Sequence, residues 1–533
     1  MLGMRDRKDD PNIQILLLIS IILSIAVITG AAYYYSRPLR TPSDSTAVSP
    51  SGILVPQNEN PGLYFDVKGF LRDGKFYIFL PCSAETKELT FYSTDESGQP
   101  LRRFTHDFEG GSFDMDGTEV SALRSSLPSV NIRIASSQPS LNEIEDSEDH
   151  SLSTRGTLEL YESDGSVMRE AVTLRGRGNT SWTAEKKSYQ AELEKPKDLL
   201  SMGRAEKWIL LANASDHSLL RNEIFLSLAR EIGIKYTPEL RQADLFIDGE
   251  YRGLYSLCTR VEKGKERVDI EDNDYLYRIG MDKDPYSFFL YDDLSKKGSE
   301  EYSKIYGEVR DCRNLEVIDR AAPYLKTVVE ELYDPGSDLS GIDLDSLCRY
   351  YWLQEFSKTT DPTLRSVYLY RKSDEDMMFF GPAWDYDRTA GIIEMPFREE
   401  DYLWPNGWTA REQDYYKSLF KNPVFLEAVN RTYRECGFAG IFANISAELP
   451  ERIEHIKDSA EMNFIRWDVL NKEENNKIAE VYGDTSYESH LTWLSEWLRM
   501  RAEWIEEELS NELTDPSVQV NQTSGNTASS DSR

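Results

Sequence analysis

"AVTLRGRGNTSW", residues 171–182, runs a β-branched strand into a loop where two glycines alternate with two arginines and an asparagine follows. Glycine has no Cβ to keep an anion away, so backbone N–H groups in such a turn can approach phosphate oxygens. The strand leads directly into Arg175, Gly176, Arg177, Gly178 and Asn179, and Ser181 and Trp182 close the loop. Lys186 and Lys187 open the next strand-like piece, "KKSYQAEL". A glycine loop, a hairpin return and a lysine on the adjoining strand can hold a nucleotide's phosphates from one side of a cleft. A structural hairpin with surface arginines is the plain alternative. No helix-forming run follows the loop, which excludes a Walker-type P-loop.

The loop is basic in an acidic chain. The 533 residues carry 61 Lys and Arg against 93 Asp and Glu, a formal net charge of −32. Overall charge therefore argues against a nucleic-acid partner. Hydrophobic residues at 40% and aromatics at 11% suit a folded chain, and the length suits a large core with a second module. Cys82, Cys258, Cys312, Cys348 and Cys436 are scattered without a CxxC pair, and the histidines are isolated. Zinc ribbons, dense disulfide frameworks and HExxH proteases are set aside.

Outward from the loop, residues 15–35 are uncharged and long enough for a transmembrane helix. The expectation is a cytoplasmic stub (1–14), one spanning helix (15–35), a Pro- and Ser-rich linker (36–60) and an extracytoplasmic body: a single-pass membrane protein. Aromatic runs separated by DG and SG turns predict a small β-rich module over 61–120. "VNIRIA", "GTLELYESDGS" and "KSYQAELE" read as further strands, "DHSLLRNEIFLSLAREIG" as a helix ended by Gly233, and "ADLFIDGEYRGLYSLCTRV" as a hairpin turning at Asp248 and Gly249. Helical patterns dominate beyond residue 320, broken by the hairpin "SVYLYRKSDEDMMFFGPAWDYDRTAG"; residues 513–533 read as a disordered tail. Trp493, Trp497 and Trp504 recur on the last helix as a core-packing stripe.

A second constellation is acidic. Asp361 follows a helix in "TTDPTLRS", and Asp385 and Asp387 follow the hairpin that returns the chain to the same end. In phosphoryl transfer one carboxylate orients the attacking hydroxyl while another holds Mg²⁺ against the phosphates. A solvated acidic turn or a structural calcium loop would use the same residues. The apolar run "FFGPAW" before the carboxylates speaks for a buried site, where a carboxylate needs a cation or hydrogen bonds.

Together the blocks "LRGRGNTSW", "KKSYQAEL", "WILLANASDHSLLRNEIFLSLAREIG", "LFIDGEYRGLYSL", Asp361 and "YLYR…GPAWDYDRTAG" resemble the CotH kinases, spore coat protein H and its relatives, over about residues 127–400 and the helices after them. The resemblance implies an α+β fold: a diverged two-lobed protein-kinase-like domain over 127–510, sheet-rich to about 315 and helical after. It implies that residues 175–182 cover the phosphates of ATP and that Lys187, with Lys186 as fallback, contacts the nucleotide. Asp361 would be the catalytic aspartate, Asp385 a Mg²⁺ or Mn²⁺ ligand, and Asp387 a second one. "SDHSLLRN" would begin the helix supporting the lysine, capped by Asp216 or Ser218, with Glu223 as the lysine's partner. Two departures stand out: Ser366 replaces a metal-binding asparagine, and Thr259 stands where some relatives have glutamate. The expected activity is phosphorylation of Ser or Thr on a protein substrate such as a coat or envelope protein. A pseudokinase or envelope-binding scaffold and, further off, a glycoside hydrolase using the paired carboxylates are the rival classes.

Overall fold

The computed structural model describes residues 50–514 except 85–86, 109–110, 149, 179, 282, 293–303, 361, 364, 393–401 and 471–475. Residues 52–124 form β1 (Gly52–Val55), β2 (Val67–Arg72), β3 (Lys75–Leu80), β4 (Glu88–Thr94), β5 (Pro100–Asp107), β6 (Ser112–Met115) and β7 (Thr118–Arg124). The strands begin inside the stretch read as linker, because Ile53 and Val55 alternate into a core with Phe76, Ile78 and Phe91. That core is shared with Tyr161, Phe246 and Tyr251 from the next group of strands.

Those strands are β8 (Ser129–Ile134), β9 (Ser153–Tyr161), β10 (Val167–Arg177), β11 (Ser188–Asp198), β12 (Arg204–Leu211), β13 (Leu240–Ile247) and β14 (Glu250–Thr259). They are hydrogen-bonded in the order β12-β11-β10-β9-β8-β13-β14, and β12 also pairs with β14, closing a barrel. Only β8 and β13 run parallel within it. Inward positions such as Val130, Leu158, Leu174, Tyr189, Trp208 and Leu257 pack its interior. Asp248 (φ 49°) and Gly249 (φ 76°) turn β13 into β14, the two left-handed positions a tight hairpin requires. A Cβ on Gly249 would stand 2.0 Å from the Asp66 carbonyl, so this turn also fixes how closely β2 approaches.

A second sheet joins β15 (Tyr275–Gly280), β16 (Ser287–Asp292), β17 (Lys304–Val309), β18 (Val367–Lys372) and β19 (Met377–Phe380) in the order β16-β17-β15-β18-β19. The helices are α1 (Leu141–Glu145), α2 (Arg221–Glu231), α3 (Leu315–Tyr333), α4 (Leu344–Ser357), α5 (Asp414–Leu419), α6 (Pro423–Glu435), α7 (Phe438–Arg466), α8 (Asn476–Tyr482) and α9 (Tyr487–Thr514). Asp343 caps α4 by accepting from the Ser346 N–H, and Asn422 caps α6 with Pro423 in its first turn. Helix α4 is buried nearly all round, through Leu347, Tyr351, Trp352 and Phe356. Trp493 and Trp497 of α9 are buried in the same core, donating to Gly391 O and Leu403 O, as the core-packing reading expects.

The fold is thus α+β. No helix among the described residues is long and apolar enough to cross a membrane, which corrects the expectation of a single-pass membrane protein with an extracytoplasmic body. The stretch 15–35 on which it rested lies outside the described residues, as does the tail from 515. The histidines are not all isolated: His217 packs edge-on against His490 with ring centroids 4.9 Å apart, and burial pushes the His490 imidazole down to about 3. All five cysteines are free thiols.

Candidate functional site

The chain leaves β19 at Phe380 and runs as the segment Gly381–Gly391 beneath the start of α2. Its backbone is tied at several points. Ala383 N–H donates to Thr237 Oγ1 (3.2 Å), Tyr386 N–H to Asn222 Oδ1 (2.9 Å) and Ala390 N–H to Ser357 O (2.8 Å). Trp493 Nε1 donates to Gly391 O (2.9 Å) from α9. The Tyr386 hydroxyl donates to Gln354 Oε1 (3.2 Å) on α4. Asp385 sits at φ 73° and Ser366, just before β18, at φ 54°. Neither is glycine, and a left-handed conformation at such residues stores strain of a kind found at functional sites. They face each other: Ser366 Oγ donates to Asp385 Oδ2 at 2.9 Å.

Across from these carboxylates, β10 ends at Arg177. Strand alternation sends Arg175 outward, where it donates to Gln190 Oε1 (3.1 Å). Gly176 lies under the Trp182 ring, and a Cβ there would meet ring carbon at 2.3 Å. Trp182 is itself buried and donates from Nε1 to Ser147 O (2.9 Å). Gly176 and Trp182 therefore shape the loop. Arg177 turns its guanidinium over the Trp384 ring, 5.1 Å from the centroid. Burial pushes the Arg177 guanidinium down, only partly opposed by Cys258 and Asp385.

Between the two loops lies a cavity of about 470 Å³ lined by Arg177, Gly178, Ser366, Asp385 and Asp387, with Arg278, Arg365 and Arg388 as further cations and Asn213, Asn222 and Gln354 as neutral polar groups. Thr359 and Thr360 line it too. Asp361 and Asn179 lie outside the described residues, and so does the Ser181 side chain. The Asp387 carboxyl is held well above the ordinary carboxylate range, first by burial and then by the nearby Asp385 carboxylate, against the pull of Arg388.

The lysines do not line this cavity. Lys187 donates from Nζ to the Trp182 carbonyl and lies over that ring, 5.1 Å from its centroid. Lys186 is buried on the far side, donating to Leu254 O over the Tyr255 ring. Burial pushes its ammonium down to about 7, with the Asp244 carboxylate opposing. Glu223 bonds Arg452 Nη1 (2.8 Å) and Gln242 Nε2 (3.3 Å) rather than a lysine. The residue that caps α2 is Leu220; Asp216 nevertheless accepts from the Arg221 N–H (2.7 Å). Thr259 is buried on β14 and does not line the cavity.

Among the described residues no group of three or more His, Cys, Asp and Glu side chains could hold a metal ion. The donor set at the cavity is two carboxylates and a hydroxyl. Hard oxygen donors of this kind suit Mg²⁺ or Mn²⁺, and Mg²⁺ commonly takes only one or two carboxylates with phosphate oxygens and water completing its shell. The donors therefore fit such an ion in company with a nucleotide.

Sequence reasoning missed Asn213, Asn222, Arg278 and Arg388 as cavity residues. Asn213 left a faint signal, a non-glycine residue in the turn after β12, where it sits at φ 49°. Arg278 left none, because nothing in its short strand marks it as part of a site.

A comparison with curated proteins gives no match. A family model described as CotH kinase protein matches residues 174–505, from the end of β10 through both loops into α9. That stretch is well over half of the chain and holds every described cavity residue, so the chain belongs to the CotH family.

Proposed function

We propose that the protein is a CotH-type kinase with a diverged two-lobed, kinase-like arrangement. The barrel with its arginine loop would form one lobe and the helices around α4 the other. It would transfer the γ-phosphoryl group of ATP to Ser or Thr hydroxyls of a protein substrate, in the manner expected for a coat or envelope protein. One observation carries the reading: Arg177 and Gly178 line the same cavity as Asp385 and Asp387. A cationic, glycine-bearing wall facing a carboxylate pair is the division of labour that phosphoryl transfer requires.

In this reading Asp385 and Asp387 hold Mg²⁺ or Mn²⁺, which when bound neutralises charge on the phosphates. Arg177 and the backbone at Gly178 take phosphate charge from the barrel side, a role the resemblance assigns to the 175–182 loop together with Lys187. Arg278, Arg365 and Arg388 add positive potential around the same space. Asp361 accepts the proton of the attacking hydroxyl. Ser366 holds Asp385 through its hydrogen bond and, being a hydroxyl, adds a weak metal ligand where relatives carry an amide.

The test is intact-mass and thermal-shift measurement on the full chain with ATP and Mg²⁺ or Mn²⁺, beside Asp361→Ala and Asp385→Ala. Nucleotide at a hundredfold excess over Kd stabilises by about 2.7 kcal/mol. The expected result is that stabilisation in the wild type, with a phosphate-sized mass gain on an added serine-rich protein that both variants lose. Stabilisation without transfer to any protein would move the chain to the pseudokinase class. Absence of both effects with every nucleotide would sink the reading.

A further inference from the structure

We propose that Asp216, Arg221 and Asn222 form a clamp that positions the loop bearing Asp385 and Asp387, so that the block "SDHSLLRN" serves the acidic loop and not a lysine. The inference rests on the kinase reading of that loop.

The contacts converge on backbone atoms flanking the carboxylates. Arg221 is buried and divides its guanidinium three ways. Nη1 donates to Asp216 Oδ1 at 2.6 Å, Nε to Thr389 O at 2.8 Å and Nη2 to Ala390 O at 3.1 Å. Asn222 works at the other end of the loop, accepting from the Tyr386 N–H at 2.9 Å. Its amide is oriented in turn by donation to Asn213 Oδ1 (3.1 Å), and Asn213 donates to Ser256 Oγ (2.7 Å) on β14. Asp387 and Arg388 are thus pinned between Tyr386 on one side and Thr389 and Ala390 on the other, with Asp385 next to the first pin.

The guanidinium suits this task because it is a rigid planar fork, whereas an ammonium is a point charge that cannot span the same acceptors. Asp216 holds the fork's angle. It is fully buried and also accepts from the N–H groups of Ser218 (3.0 Å) and Arg221 (2.7 Å), so its position is set by the start of α2. An arginine that merely neutralised Asp216 would have no reason to send its other two donors to consecutive carbonyls of the acidic loop. Helix α2 is thereby a template: one face packs into the core through Ile224, Phe225 and Leu228, and its first turn reads out the loop.

The experiment compares the full-length wild type with Arg221→Lys, Asn222→Ala and Arg452→Ala. The last removes the Glu223 partner on another side of the same helix and controls for loosening of α2 alone. Hydrogen exchange reports the loop, and electron paramagnetic resonance titration of Mn²⁺ with ATP present reports metal binding. The expected result is exchange at Tyr386 to Ala390 faster by at least tenfold in Arg221→Lys and Asn222→Ala. Mn²⁺ affinity should weaken at least tenfold in the same two variants, with Arg452→Ala at wild-type values. Unchanged exchange in both variants overturns the clamp, as does faster exchange with wild-type Mn²⁺ affinity. The two failures read differently. A wild type that binds no Mn²⁺ with ATP sinks the kinase reading, whereas a wild type that binds and an Arg221→Lys chain that binds equally well overturns the clamp alone.

Discussion

Arg501→Met should cost the fold about 4 kcal/mol. Arg501 and Glu355 are fully buried, and their ion pair closes at 2.7 Å. The guanidinium also donates to Glu355 O (2.7 Å), Pro405 O (2.8 Å) and Gly407 O (2.9 Å), tying α9 to the end of α4 and to the segment after residue 401. Methionine fills much of the volume and removes all of these donors. Each orphaned carbonyl costs roughly 1 kcal/mol. The carboxylate is not left bare, because Thr409 N–H (2.8 Å), Arg411 N–H (2.8 Å) and the Tyr351 hydroxyl (3.3 Å) still reach it. The charge term is therefore smaller than for a naked buried ion, and the sum falls within the roughly 3–5 kcal/mol typical of breaking a buried pair. Urea unfolding at neutral pH of wild type, Arg501→Met, Glu355→Gln and the double variant forms the cycle that isolates the pairwise part. The double variant should recover about 1–2 kcal/mol relative to Arg501→Met. A loss below about 1 kcal/mol in Arg501→Met would refute the view that this pair locks α9 onto α4.

Arg177→Met should weaken nucleotide affinity by at least tenfold while Lys187→Met changes it less than about threefold, measured by calorimetric titration with ATP and Mg²⁺; the reverse order would return the phosphate contact to the lysine. Gly176→Ala should lower stability by about 2 kcal/mol, read by urea unfolding, since its Cβ would enter the Trp182 ring. Lys186→Met should be more stable than wild type at pH 7, with the advantage shrinking as pH rises toward 10. The sign follows from burial, which pushes the Lys186 ammonium down to about 7 from an ordinary 10.5. Between those values the unfolded chain binds more protons than the folded one, so wild-type stability rises with pH. A flat difference between the two chains across that window would contradict this.

The strands of the barrel other than β12 were legible because each carries its own alternation. "VNIRIA", "AVTL" and "ADLFIDGEYRGLYSL" place apolar side chains on one face whatever the rest of the chain does. The closure was not legible, since β12 meets β14 across the intervening α2 and β13. Of the second sheet only the β18–β19 hairpin was legible, for the same reason. Its central strand β15 takes partners from β17 and from β18 far along the chain, and a short apolar run reveals neither. At the site, both loops could be read because glycines with arginines and an apolar run before aspartates are local anomalies. The lysines do not line the cavity: both precede β11, which starts at Ser188, and each finds a nearby carbonyl. Lys186 goes to the Leu254 carbonyl and Lys187 folds back onto Trp182. The work of Arg221 and Asn222 depends on acceptors and donors 168 and 164 residues away, which no window around "SDHSLLRN" contains.

The charge of the chain gives those local anomalies their meaning. At −32 the protein repels a polyanion from a distance, yet at physiological salt that field decays over about 8 Å. A nucleotide close to the surface therefore answers to the groups nearest it, and at this cavity those include Arg177, Arg278, Arg365 and Arg388. The same screening does little for Asp385 and Asp387, whose mutual repulsion acts at short range across a partly buried space. Burial and Asp385 raise the Asp387 carboxyl above its ordinary range, and a divalent cation in the proposed site would oppose that shift. Basic loop and acidic pair are thus two halves of one requirement. In the proposed function the arginines would make room for phosphate in an acidic body, and the aspartates, crowded against each other, would make room for the cation that travels with it.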